Sequence, residues 1–169
     1  MSMFSGKYKF YSFVILLLIA ILYLFFFYFN IENLKKEKKL ALESEPILIN
    51  LLTSVHPDLS WSFKPVKPTI TIVPGEVQTI EYTVENLSTK ASTGIATFAY
   101  YPSQFGNFVS KINCFCYDAQ TLKPKQKNKF VLVLLIDPEV TKDSKTKDIK
   151  EATIQFIFFN YEKYKEKQS

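Results

Sequence analysis

No feature constrains this chain as much as residues 10–29, which carry no charge and, apart from Ser12, only apolar or aromatic side chains. Wound as a helix at 1.5 Å per residue, the run is about 30 Å long, the thickness of a bilayer's hydrocarbon core. Tyr8, Tyr11, Tyr23 and Tyr28 add amphipathic rings, some of them near the expected interfaces. The competing reading is a cleaved secretory signal. The run is too long for a typical signal, and Tyr28, Phe29, Asn30 and Ile31 are too bulky for a small-residue cleavage site. An uncleaved transmembrane helix over residues 10–31 is expected, after a short N-terminus at 1–9. Lys7 and Lys9 precede it, while Lys35, Lys36, Lys38 and Lys39 follow it. On these charges alone the positive-inside rule keeps the C-terminal bulk in the cytoplasm.

The formal charge of +5 comes from lysine alone, with no arginine in the chain. That argues against nucleic acid as a partner, because phosphate clamping and base readout favour the guanidinium fork. The lysine clusters read as solvated or membrane-adjacent charge. Residues 32–46 form a charged stalk that ends at Pro46. Beyond it, β-prone runs at 47–52, 69–73, 79–85, 95–101, 109–117, 130–136 and 152–159 alternate with turn signals. Pro74-Gly75 has the form of a type II turn, and Ile80, Tyr82 and Val84 are expected to face inward. Short strands so spaced favour an antiparallel sandwich over βαβ units. The fold expected is therefore all-β, an immunoglobulin-like antiparallel β-sandwich at 47–160 behind a single N-terminal transmembrane helix. Trp61 is its expected core anchor, and the charged tail at 161–169 is expected to fray.

Catalytic groups are scarce. The one histidine, His56, precedes Pro57 in a loop-like stretch, and no nucleophile triad, metalloprotease helix or glycine-rich phosphate loop is present. No enzyme is expected. Chemistry concentrates instead in Cys114-Phe115-Cys116, which holds both cysteines of the chain. If the strand continues through residue 117, the two sulfurs share one face and Phe115 takes the other. Two soft donors without a third suit a thiophilic ion such as Cu(I). Zinc fits poorly, since its closed sites need four ligands. A local disulfide is unfavoured in a strand, where residues two apart lie about 6.7 Å from each other. Burial as small apolar residues, a link between protomers and a strained redox disulfide all stay open at this level.

The run Lys111-Ile112-Asn113-Cys114-Phe115-Cys116-Tyr117, followed by Gln120, Leu122 and Pro124, closely resembles the signature of the CtaG family of cytochrome c oxidase assembly proteins. Similar segments occur upstream at Trp61-Ser62-Phe63-Lys64-Pro65, Pro74-Gly75-Glu76, Tyr82, Glu85-Asn86, Gly94-Ile95-Ala96, Pro102 and Gly106. Downstream, Asp137-Pro138 and Phe158-Phe159 also match, so the resemblance covers roughly 47–159 and the anchor. The resemblance implies a membrane-anchored chaperone with Cys114 and Cys116 as metal ligands for Cu(I). Its cargo goes by thiolate exchange to the copper-B site of the oxidase's catalytic subunit. It implies a copper donor, a thiol reductant and a copper-bridged homodimer. It also overrides the lysine count: the N-terminus is placed in the cytoplasm and the domain on the periplasmic side of a bacterial inner membrane, or the mitochondrial equivalent. The alternative is a structural oxidase assembly factor whose cysteines no longer carry copper. Two departures stand out. The family's further cysteine after the membrane helix is missing, and Lys125 replaces the glycine usual after Pro124.

Overall fold

The computed structural model describes residues 5–167. Two compact units divide between Lys39 and Leu40. The first consists of most of α1, Ser5–Glu43, an unbroken 39-residue helix. Nothing between residues 7 and 43 interrupts it with glycine or proline, so its backbone satisfies itself internally, as hydrocarbon requires. Within it, Phe13–Lys35 is long and apolar enough to cross a membrane. Side chains 13–29 are exposed all round. The helix runs on through most of the charged stalk and stops ahead of Pro46, whose ring disfavours helical geometry at the residue before it.

The second unit is a two-layer β-sandwich. Its strands are β1 (Ile47–Val55), β2 (Trp61–Pro65), β3 (Thr69–Ile72), β4 (Val77–Asn86), β5 (Ser92–Tyr101), β6 (Val109–Cys114), β7 (Gln120–Leu122), β8 (Lys127–Ile136) and β9 (Glu151–Asn160). One sheet has the order β3-β1-β9-β5-β7 and the other β2-β4-β8-β6. Period-two alternation builds the core. Phe130, Leu132, Leu134 and Ile136 of β8 are buried between half-buried neighbours, as are Ala152, Ile154, Phe156 and Phe158 of β9. Ile80, Tyr82 and Val84 face inward as expected. Trp61 is 5% exposed, with its ring 5.2 Å from that of Phe158 and its indole N–H donating to Ser92 at 2.8 Å.

Three features differ from expectation. β1 runs parallel to β9, with Leu48 opposite Glu151 and Val55 opposite Phe158, so the sandwich is not wholly antiparallel. Alternation fixes which face a residue takes, not the direction of its neighbouring strand. Strands β2 and β7 lie outside the runs expected from the sequence, the first ending on Lys64-Pro65 and the second only three residues long. The tail beyond β9 is not wholly frayed: Tyr161–Glu166 forms α2, capped where the Asn160 side chain accepts from the Lys163 N–H at 3.2 Å.

Two reverse turns share one design. In the first, Glu76 N–H donates to Val73 at 3.1 Å and Gly75 sits at φ 94°. In the second, Gln126 N–H donates to Lys123 at 3.1 Å and Lys125 sits at φ 58°. Both have proline at the first central position, but only the first has the glycine that a positive φ favours.

Candidate functional site

Strand β6 delivers the cysteines. It runs antiparallel to β8 and sets Cys114 opposite Leu132, after a register irregularity between Lys111 and Asn113. There the strand ends. Tyr117 N–H donates to the Cys114 carbonyl at 3.2 Å and closes a turn over residues 114–117. The expected extended run through Tyr117 is thereby corrected, and with it the idea of both cysteines on one face and Phe115 on the other. Cys114 is 4% and Phe115 8% exposed, while Cys116 is half-buried against the core. The turn also draws the two Cα atoms to 5.0 Å, and the cysteines are joined as a disulfide. A strand would disfavour that bond; a turn permits it, since bridged Cα atoms usually lie about 4.4–6.8 Å apart.

Phe115 anchors this turn. Its ring stacks on Phe130 at 5.3 Å and meets Phe156 at 5.0 Å, Tyr82 at 5.4 Å and Phe63 at 5.5 Å. Gln120 at the start of β7 donates from Nε2 to the Phe115 and Asp118 carbonyls, each at 3.2 Å. The Tyr117 hydroxyl donates to the Lys111 carbonyl at 2.6 Å. A sulfur pair is thus held at the rim of the sandwich by an aromatic plug on one side and main-chain bonds on the other.

The sequence comparisons bear on the same region. The family model for cytochrome c oxidase assembly protein CtaG/Cox11 matches residues 27–160. The chain belongs to this family. It is 38% identical over 115 residues to the cytochrome c oxidase assembly protein CtaG of Sinorhizobium fredii, covering 68% of this chain and 58% of that one. It is 30% identical over 123 residues to mitochondrial COX11 of Mus musculus, covering 73% of this chain and 45% of that one. The chain therefore spans roughly half to three fifths of the length of these two curated relatives. Among solved structures, a PapD-like domain of human CEP192 aligns with 69% of this chain and 84% of that domain, at 11% identity and a TM-score of 0.29.

Among the described residues, no group of three or more histidine, cysteine, aspartate or glutamate side chains gathers. His56 follows β1, its Nδ1 3.5 Å from the Asp58 carboxylate and its ring 5.4 Å from that of Phe159. It lines a cavity of about 250 Å³ with Lys163 and Tyr164.

Sequence reasoning missed one cluster altogether. The Lys111 ammonium lies 3.3 Å from the centre of the Phe98 ring and donates to the Tyr100 hydroxyl at 3.3 Å. Burial holds the Lys111 pKa below its ordinary value. Burial, and secondarily the neighbouring Tyr117, pushes Tyr100 up to about 12. The only signal for this cluster was the aromatic content of β5, whose neighbour across the sandwich the sequence does not reveal. A second missed group is the Tyr82 hydroxyl, fully buried and without a hydrogen-bond partner among the described residues.

Proposed function

We propose that this chain serves cytochrome c oxidase assembly as a membrane-anchored Cu(I) carrier, with Cys114 and Cys116 as the ligands of the cargo. The observation that carries the reading is the turn at 114–117, which brings the two sulfurs together at a partly exposed rim. Reducing the disulfide takes two electrons and two protons from an external dithiol, which leaves as a disulfide. Cu(I) then displaces one proton from each thiol, with no change in its own oxidation state. Two thiolates leave coordination positions open, so a donor atom of the acceptor adds to copper before either sulfur lets go. Cys116, the more exposed, departs first and Cys114 second. The acceptor is the copper-B site of the oxidase's catalytic subunit.

The names of the bacterial and mitochondrial relatives support the assembly role. The chemistry of the sulfur pair supports copper as the cargo. In this reading α1 crosses the bacterial plasma membrane, or the mitochondrial inner membrane, with its N-terminus in the cytoplasm or matrix and the sandwich on the far side. Two sandwiches sharing copper give the bridged homodimer. Since residues 30–37 hold no cysteine, Cys114 and Cys116 supply all the thiol chemistry of this chain.

Anaerobic Cu(I) titration of the reduced full chain in detergent tests the proposal. Binding of up to one copper per chain is expected, lost in both Cys114→Ser and Cys116→Ser. Unchanged binding in the two variants ends it. The burial of Cys114 and its bond to Cys116 favour a second reading, a structural assembly factor stapled by its cysteines. That reading predicts a double serine variant that folds and still supports oxidase assembly.

A further inference from the structure

Edge strands present unpaired N–H and C=O groups, and folded proteins blunt them with brevity, lysine, proline or bulges. The formal edges of this sandwich follow the rule. Strand β2 carries Lys64 and Pro65, β3 has four residues, β7 has three, and β6 carries Lys111 and a register irregularity. The brevity of β7 leaves another edge without a partner strand. It pairs only with Ser92, Thr93 and Gly94 of β5. Residues 95–101 of β5 pair in unbroken register with β9 on one side and, among the described residues, with no strand on the other. That stretch reads Ile-Ala-Thr-Phe-Ala-Tyr-Tyr, with no charge and no proline.

Two of its side chains, Phe98 and Tyr101, are exposed. Phe98 lies opposite the buried Phe156 and so faces the interior, yet it is 42% exposed. Across this gap lies Lys111, whose ammonium has three N–H donors and, among the described residues, one hydrogen-bond partner, the Tyr100 hydroxyl. Among the described residues, none of the ion pairs includes Lys111. A partly desolvated cation beside an uncharged, unpaired strand edge is a site for a ligand that brings both main-chain groups and a negative charge.

We propose that residues 95–101 of β5 accept an extended segment of a partner polypeptide as an added strand, with an acidic side chain of that segment on Lys111. Main-chain bonds provide affinity in this mode, and alternate side chains provide selectivity. The carboxylate adds a charge-assisted bond in a setting with reduced water. A second copy of this chain is the poorer occupant. Its β5 offers no carboxylate to Lys111, and each copy carries a formal charge of +5. Lys111 is tied through its carbonyl to Tyr117, so the docked segment runs along the flank of the cysteine turn.

The test uses the reduced, copper-free full chain in detergent micelles, with a chelator present. Three labelled peptides of alternating threonine and valine carry a central glutamate, glutamine or lysine. Saturable binding is expected in the order glutamate, glutamine, lysine, with glutamate favoured by about tenfold over glutamine. Hydrogen exchange should slow at residues 95–101. Lys111→Glu should invert the order, and the milder Lys111→Gln should erase the preference for glutamate. Ala99→Lys, which puts a charge on the edge, should weaken all three peptides about tenfold while leaving Cu(I) titration unchanged. Absence of saturable binding, an order indifferent to Lys111, protection at another edge, or self-association in place of peptide binding would each overturn the proposal. Because copper is absent, such a failure leaves the carrier reading standing, and a failed copper titration leaves this one.

Discussion

The membrane-length helix and the sandwich are built from the same apolar residues and use them in opposite ways. From Phe13 to Phe29, leucine, isoleucine and phenylalanine are exposed on every side of the helix. In β8 and β9 the same residue types alternate, and every inward side chain is buried in one shared core. Where the surroundings are themselves hydrocarbon, apolar character is enough and no position is special. Where the surroundings are other side chains, shape matters at every position. One region should therefore tolerate substitution, and the other should not.

The strongest break of this contrast is expected at Phe115. Replacing it with alanine removes a ring in contact with Phe63, Tyr82, Phe130 and Phe156 and should cost about 3–5 kcal/mol. Thermal unfolding followed by near-ultraviolet circular dichroism should move down by at least about 10 °C, while the helical far-ultraviolet signal of α1 persists. A loss below about 1 kcal/mol would mean that the plug is not what holds the cysteine turn.

A charge in the helix comes next. Ile19→Lys should cost about 3 kcal/mol of membrane insertion, less than the summed gain from the surrounding leucines, isoleucines and phenylalanines. The variant should stay with the membrane on alkaline carbonate extraction, and the melting of its sandwich should be unaltered. Release into the aqueous fraction would show that helix positions are as individual as those of the core.

The smallest effect concerns the backbone alone. Lys125 occupies φ 58° in a turn whose counterpart uses Gly75 at φ 94°. Lys125→Gly should relieve left-handed strain and raise stability by about 0.5–1 kcal/mol in urea titration. A decrease would mean that the hydrogen bond from Lys125 to the Leu87 carbonyl outweighs the dihedral.

How far these features could be read beforehand depends on the range of the interaction responsible. The helix, the Pro74-Gly75 turn and the inward trio Ile80, Tyr82 and Val84 follow from neighbours within a few residues, and all were legible. The parallel pairing of β1 with β9 joins Leu48 to Glu151, a separation at which local alternation is silent. The turn at 114–117 escaped because it holds no glycine or proline and looks like the end of a strand. Its cause is tertiary: Phe115 enters an aromatic cluster drawn from four other strands, and the chain bends to let it in. The cysteines stood out as a pair, but their separation and unequal burial did not. Lys111 stands out in the sequence only as the first residue of the run that resembles the family signature, because the rings beneath it come from β5.

The parallel register of β1 and β9 also decides how the sandwich answers to mechanical pull. The chain enters at the start of β1 and leaves at the end of β9, and these points lie at opposite ends of two strands running the same way. Tension between them loads the bonds from Leu48–Glu151 to Val55–Phe158 together, in shear, instead of unzipping them one by one. A domain tugged from its two termini in this way resists as a whole until it yields.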